Sequence, residues 1–496
     1  MAVNYLYGAS VQGIQSFIFQ TDKLKEIVGA SNLVERICTT MFAPYVEEAQ
    51  DAKLVIGAAG NIKCIYRRRQ DCERTVLEFK EKVLKEAPGV TLSQAVVEYD
   101  DSTPFTEVIE ELEAILRTQR TKNVIPTLLG TIGIKRSSQT GLPVVKHIDD
   151  TRFVDDSTYA KLKAQKYGSV LEDNFYGHNL DRSRIPYDIK EITDKNDWIA
   201  IIHADGNGLG QVVMKIGSME DKFSAFSKKL NEATVSAANK AFKEVARENA
   251  GKYPVRPIVL GGDDLTVICR ANLAIPFCNL FLALFKSETK DKLGAILRDN
   301  RVFVNGADYL TACAGIAFTK SSFPFYYGYD LAEDLCRESK KVAKLGKTPA
   351  DPVPSCLMYH KVQDSFIRDY KYDIVMRELK PQNNISWKFG PYFLTGEEIK
   401  DYWSIDDLIS SADKLAKLQD TGLRASIREW ISSMHRSEDE AIQRLKRMKD
   451  IVGMRSSEGY KLLNTLTTAK NRAGDAAYPA YDTLALYTIN NQETKK

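Results

Sequence analysis

Two adjacent carboxylates, Asp263 and Asp264, close the tetrapeptide Gly261-Gly262-Asp263-Asp264. Apolar runs flank it, Ile258-Val259-Leu260 before and Leu265-Thr266-Val267-Ile268 after. β-branched runs around a glycine-containing tight turn predict a β-hairpin. Neighbouring carboxylates at its tip repel each other, and packing gives no reason for them. A divalent cation resolves the repulsion, and hard oxygen donors suit Mg²⁺. A third acid, Asp205, ends an apolar run and opens the glycine-rich turn Gly206-Asn207-Gly208-Leu209-Gly210. Gly206 and Gly208 allow the backbone close to a phosphate, and N–H groups ahead of a following helix can cradle it. Asn207 can offer its carbonyl to a metal or cap that helix. Two ions about 4 Å apart would suit in-line attack of a 3′-hydroxyl with loss of pyrophosphate. A lone Gly-Gly-Asp-Asp is an ordinary turn; its combination with Asp205 is what carries the reading.

The elements that must position these acids follow from periodicity. A strand is predicted at 197–203 and a long helix at 218–249, where Phe223, Phe226, Leu230, Ala237, Ala241 and Val245 recur at helical spacing. A hairpin at 255–270, a helix near 273–292 and a strand at 311–318 complete a βαββαβ order. That is the ferredoxin-like arrangement of polymerase palms and nucleotidyl cyclases. The arrangement hosts many functions and decides little alone.

The same order occurs twice. LVIGAAGNIKCIYR (54–67) matches IVLGGDDLTVICR (258–270), so that Ala58-Ala59-Gly60-Asn61 stands in the place of Gly261-Gly262-Asp263-Asp264. YGASVQGIQ (7–15) matches HADGNGLGQ (203–211), with Ser10 in the place of Asp205. Helices around 31–49 and 71–86 and a strand at 91–99 complete the first copy. The fold class is therefore α+β: two ferredoxin-like palms at 1–100 and 196–350, an inter-palm insertion at 101–195 and a helical bundle at 351–496. Helices are expected at 105–117, 404–418, 422–433, 437–451 and 456–470, with a helical pattern from Pro352 onward. Only the second copy can hold metal through carboxylates. The first is suited to bind a nucleotide or to complete the site from across an interface.

Other candidates are less specific. Lys340 and Lys344 belong to a lysine cluster after the last palm strand and could meet a triphosphate, although cations also favour a helix C-terminus. In the first copy, Ser31 follows Lys23, Lys25 and Gly29-Ala30; it reads as a helix N-cap or a nucleotide contact. His203 reads as a packing residue, and Arg444, Lys446, Arg447 and Lys449 as a solvated helix face that could also touch RNA or a partner subunit. The net charge of +3 excludes a dedicated nucleic-acid coat. Eight scattered cysteines without a CxxC pair favour neither a disulfide framework nor a zinc site, and they fit the reducing cytoplasm. The N-terminus lacks a signal-peptide pattern, and no apolar run is long enough for a membrane span.

Taken together, the chain resembles the large polymerase/cyclase subunit of type III CRISPR effector complexes. The residues carrying the resemblance are YGASVQGIQSFIFQTDKLKEIVGASNLVERI (5–37 with the preceding Tyr5-Leu6), the AAGN turn, HADGNGLG, GGDD and AGIAFTKSSFPFYYGYDLAEDLCRESKKVAK (314–344). The resemblance implies ATP as substrate, two Mg²⁺ or Mn²⁺ ions held by Asp205, Asp263 and Asp264, and cyclic or short linear oligoadenylates as antiviral messengers. It implies two ATP molecules between the palms, and RNA or other complex subunits as partners. The chain departs from the family pattern in three ways. No HD nuclease motif precedes the first palm. The stretch 134–151 has no cysteine, so zinc is not expected. Asn207 stands where many relatives have a second acid. Alternatives are the same chemistry with another product, a cyclic dinucleotide or an adenylated small molecule, and a non-catalytic RNA-binding scaffold; the sequence leaves oligomeric state open.

Overall fold

The computed structural model describes residues 3–121, 133–149, 152–166, 170–193, 197–216, 220–249, 251–348, 350–365, 367–382, 384–418 and 421–491. The first palm runs β1 (Val3–Gln12), α1 (Ile14–Ile18), α2 (Leu24–Cys38), α3 (Ala43–Glu47), β2 (Lys53–Ala58), β3 (Asn61–Tyr66), α4 (Arg69–Glu86) and β4 (Thr91–Asp100), and α5 (Phe105–Arg120) follows. Its antiparallel sheet has the order β2-β3-β1-β4. A short hairpin, β5 (Lys146–Asp149) and β6 (Arg152–Val154), leads to α6 (Asp156–Ala164) and α7 (Val170–Tyr176). Parts of the expected insertion, 122–132, 150–151, 167–169 and 194–196, lie outside the described residues.

The second palm comprises β7 (Trp198–Gly206), α8 (Leu209–Ile216), α9 (Glu220–Val245), β8 (Val255–Gly261), β9 (Asp264–Arg270), α10 (Ala271–Asp299), β10 (Ala312–Lys320) and α11 (Phe325–Ala343). Its central strands follow the order β8-β9-β7-β10, the same as the first palm. Alternation along β7 sorts its residues, since successive side chains point to opposite faces. Ala200, Ile202 and Ala204 join the core beneath α9 and α10, whereas Ile199 and Ile201 join a core shared with the first palm and α11.

The ladders settle how the copies correspond. Laid end to end, YGASVQGIQ and HADGNGLGQ would set Ala9 on Asp205. In the sheets, Ala9 faces Ile62 as Ala204 faces Leu265, so Ser10, facing Asn61, holds the place of Asp205. The two hairpin tips meet between the palms, where a Cβ on Gly261 would lie 3.7 Å from Ala59. The aromatic seam of Phe19 against Phe325 and Tyr329, with ring centroids 5.1 and 4.4 Å apart, closes the same interface.

Three sequence expectations change. The helical pattern expected from Pro352 is confined, among the described residues before Ile405, to one short helical stretch at Tyr370–Met376: β11 (Cys356–Lys361) runs parallel to β10 and extends the palm sheet, and β12 (Ile385–Ser386) and β13 (Tyr392–Phe393) follow. A strand buried on both faces is a short continuous apolar run, which periodicity cannot tell from helix. We therefore draw the second palm sheet to include Phe393, past residue 350. The helix expected around 31–49 is α2 plus α3, which removes Ser31 from an N-cap and puts it inside α2. The helix over 105–117 continues to Arg120 and packs on β1 and β4, so it belongs to the first palm.

The C-terminal region contains α12 (Ile405–Lys417), α13 (Thr421–Met434), α14 (Glu438–Arg455) and α15 (Ser457–Thr467), near the expected helices. The sequence reading did not place the strands β14 (Lys470–Arg472) and β15 (Asp475–Ala477) or the helix α16 (Ala480–Asn490). Trp387 and Trp430, both fully buried, meet edge to face at 5.3 Å and anchor this region. No described helix is long and apolar enough to cross a membrane.

Candidate active site

β7 ends at Asp205-Gly206, and the β8–β9 turn carries Asp263 and Asp264 alongside it. One oxygen from each of the three carboxylates lies within 4.8 Å of the others. The turn owes its shape to Gly262 at φ +63°, while the first palm's equivalent turn has both Ala59 (φ +50°) and Gly60 (φ +77°) left-handed. Gly206 is required by proximity: a Cβ there would sit 2.8 Å from the Cβ of Asp263 and 2.9 Å from its Oδ2. The backbone N–H of Gly262 donates to Asn231 Oδ1 at 3.1 Å, and its carbonyl accepts from Thr234 Oγ1 at 2.6 Å, so α9 holds the turn.

Electrostatics separate the three acids. Burial pushes Asp263 up to about 7, and the neighbouring Asp205 adds to the shift. Burial, then Asp263 and Asp205, raise Asp264 well above the ordinary carboxylate range. Burial would also raise Asp205, but the Lys340 ammonium ion-paired with it outweighs that effect and holds it low. Lys340 also donates to the Gly206 carbonyl at 2.7 Å. Three half-buried carboxylates facing one ammonium are under-neutralised. The all-oxygen donor set fits hard divalent cations.

The other sequence candidates fall into two neighbouring cavities. Asn207, Gly208 and Lys344 line one of them, together with Gln211, Lys215 and Lys347. Asn207 does not cap α8; its N–H donates to the Thr311 carbonyl at 2.8 Å and its side-chain amide to Thr311 Oγ1 at 3.0 Å. Gly208, at φ +71°, turns the chain into α8. Lys347 belongs to the same lysine cluster that the sequence singled out, whereas the sequence reading missed Lys215 as their companion. The helix directly after the glycine-rich turn was the signal available for Lys215.

The second cavity opens between the palms. Ile14, Ser31 and Val34 line it from the first palm, and His203, Asp264 and Tyr329 from the second. Ser31 Oγ donates to the Ile258 carbonyl across the interface, so the structure brings Ser31 to the site from the opposite palm. His203 is buried, with Nδ1 3.1 Å from Thr266 Oγ1. Burial depresses its pKa to about 4, so the imidazole is neutral at pH 7. It packs edge-on to Tyr329, as expected of a packing residue, but it also borders the cavity.

Comparison with known proteins agrees with this architecture. Residues 198–347 match the family model described as Cas10/Cmr2, second palm domain. Among solved structures, a Csm1–Csm4 cassette in complex with cA4 aligns over 99% of this chain and 70% of its own, with TM-score 0.60 and 13% identity. A cassette in complex with AMPPNP aligns over 98% of this chain and 70% of its own, with TM-score 0.59 and 14% identity. Csm1 in T. onnurineus aligns over 99% and 70%, with TM-score 0.57 and 14% identity. At such identity these structures establish a shared fold. Comparison with curated proteins finds no match.

Proposed function

We propose that this chain, whose residues 198–347 are a second palm domain of the Cas10/Cmr2 family, is a nucleotidyltransferase that joins ATP into cyclic or short linear oligoadenylates. The observation carrying the proposal is the convergence of Asp205, Asp263 and Asp264 in one palm, against Ser10, Gly60 and Asn61 in the other. The same hairpin forms without acids, so folding does not require them.

In this reading the three carboxylates would hold Mg²⁺ or Mn²⁺, which when bound would neutralise phosphate charge and favour ionisation of the attacking hydroxyl. The 3′-hydroxyl of one nucleotide attacks the α-phosphorus of another. The new P–O bond forms as the bond to pyrophosphate breaks, and the hydroxyl proton passes to solvent. Lys344, with Lys215 and Lys347, borders the cavity beyond Gly208 and binds the phosphate chain. The cavity between the palms, with Ser31 and neutral His203 on its wall, takes the nucleoside. Lys340 keeps Asp205 ionised and so able to serve as a cation ligand. Several of the similar structures are Csm1–Csm4 cassettes, and one is a Csm1–Csm4 subcomplex in the type III-A CRISPR-Csm interference complex; we extend to this chain a partner subunit in such a defence complex.

The test is direct. Purified protein, with labelled ATP and Mg²⁺ or Mn²⁺, should release pyrophosphate and form oligoadenylates resolvable by mass spectrometry. Asp263→Ala/Asp264→Ala should reduce the rate by about 10²-fold or more, the scale on which one preorganised electrostatic group acts. Undiminished product from the double variant would remove the acids from the mechanism. Absence of product with every nucleotide and metal tried would favour the scaffold alternative.

A further inference from the structure

All eight cysteines are buried. Five of them sit in the two large cores, Cys38, Cys64 and Cys72 in one and Cys269 and Cys278 in the other. The remaining three converge with Ala343 and Phe393 in a small cluster beneath α11. Strand register builds this cluster. Cys313 on β10 is paired with Asp205 on β7 and with Cys356 on β11, so an acid and two thiols form one row across three strands. Residues paired across a ladder share a face of the sheet, here the face that α11 covers. Cys336, one turn before Lys340 on that helix, donates its Sγ–H to the Cys313 carbonyl at 3.2 Å.

The Sγ atoms of Cys313 and Cys356 lie 3.5 Å apart. Adjacent strands are about 4.8 Å apart, inside the roughly 4.4–6.8 Å between Cα atoms that a disulfide spans. Each thiol also holds a neighbour of the acids. Cys356 Sγ donates to the Ser339 carbonyl at 3.5 Å, beside Lys340. Cys313 Sγ donates to the Pro354 carbonyl at 3.8 Å, and the adjoining Val353 lines the phosphate cavity with Asn207. The Val353 carbonyl accepts from Thr311 Oγ1 at 2.5 Å, and Thr311 in turn holds the Asn207 amide. Pro354 borders a third cavity, with Tyr309 and Glu397, where a small solute comes within one residue of Cys313.

We propose that Cys313 and Cys356 are a redox pair, which hydrogen peroxide closes to a disulfide, and that closure slackens the turn carrying Lys340. One thiol takes an oxygen from the peroxide, giving a sulfenic acid and water. The second thiol then displaces that oxygen as water while the S–S bond forms. Two thiols are oxidised and one peroxide is reduced; a dithiol reverses the change. Both S–H donors are consumed, so the Ser339 and Pro354 carbonyls lose them, and the sulfurs close from 3.5 Å to about 2.05 Å. α11 lies directly on β10 at Gly315, so movement of the strand passes to the helix. The effect on synthesis rests on the reading of the chain as a nucleotidyltransferase; formation of the bond does not.

Peroxide treatment of the folded whole chain tests it, followed by alkylation of free thiols, digestion without reduction and mass spectrometry. The expected product is a peptide pair joined through Cys313 and Cys356. Oligonucleotide synthesis should fall by about 10²-fold, the scale of a misplacement of about 1 Å, and dithiothreitol should restore it. That recovery separates the disulfide from methionine sulfoxide, which needs its own reductases. Cys356→Ala should keep its rate under peroxide; where that variant fails to fold, Cys356→Ser takes its place. A treated chain whose two thiols are still alkylated after unfolding would overturn the pair. A disulfide with an unchanged rate, or equal inactivation of the cysteine variant, would overturn its effect on the site. Absence of product from the reduced chain would instead overturn the proposed reaction. The shift in melting temperature given by ATP with Mg²⁺ then replaces the rate: a shift altered by the disulfide supports the coupling, and an unaltered one overturns it.

Discussion

Asp263 is pushed up to about 7 and Asp264 is raised in the same direction, while Asp205, a strand away, is held low. Burial and mutual repulsion raise the first two, and Lys340 keeps the third ionised. The consequence for stability has a definite sign. An acid whose folded-state pKa lies above its unfolded value binds its proton more tightly when folded, so stability is greatest at low pH and falls as pH rises. For Asp263 the window runs from about 4, the unperturbed value, to about 7. The melting temperature in EDTA should carry a contribution that declines across that window, and Asp263→Asn should flatten it. Added Mg²⁺ should raise the melting temperature more at pH 8 than at pH 5.5, because at the lower pH protons compete for the same oxygens. Equal Mg²⁺ shifts at both values would count against the acids as the metal site.

Among the elements, α11 does the most positioning. It lies flat on β10 because Gly315 leaves no side chain between them: a Cβ there would fall 1.9 Å from the Ala332 carbonyl oxygen and 2.4 Å from the Cys336 nitrogen. The helix carries Lys340 to Asp205 and ends where Lys344 borders the phosphate cavity. Gly315→Ala should push the helix outward, cost about 1–3 kcal/mol as an overpacking change, and move Lys340 from Asp205. Thermal denaturation together with steady-state kinetics would check this, with a lower melting temperature and a reduced turnover as the outcome. The apolar run TACAGIAF announced β10 from sequence, yet nothing local marks Gly315 as the contact. Its partner, Ala332, is brought there only by the chain folding back. The same limit explains β11, a buried parallel strand with no alternation to read, and Ser31, whose good capping chemistry was overridden by a helix that had already begun at Leu24.

At the scale of the molecule, the two palms form one unit through a continuous core and the seam of Phe19, Phe325 and Tyr329. The cavity between them borrows walls from both, so their packing should matter to activity as well as to stability. Phe19→Ala removes a ring that is 2% exposed and should cost about 3–5 kcal/mol. If the palms act together, the variant should also lose oligonucleotide synthesis at temperatures where circular dichroism still reports a folded protein. Full activity in the folded variant would separate catalysis from the interface.

The sequence by itself determined the acids, the turns that carry them and the duplication. These rest on local rules: glycine and carboxylates at a tight turn, apolar runs at strand period, and two stretches alike enough to be laid together. Even the loss of acids in one copy was legible, because hairpin chemistry is written in consecutive residues. Only the tertiary structure decided which residue faces which. Helix packing gave Lys340 to Asp205, and the meeting of the palms brought Ser31 to the cavity that Asp264 borders. Such pairings join residues far apart in the chain, and side-chain packing across the folded core selects them.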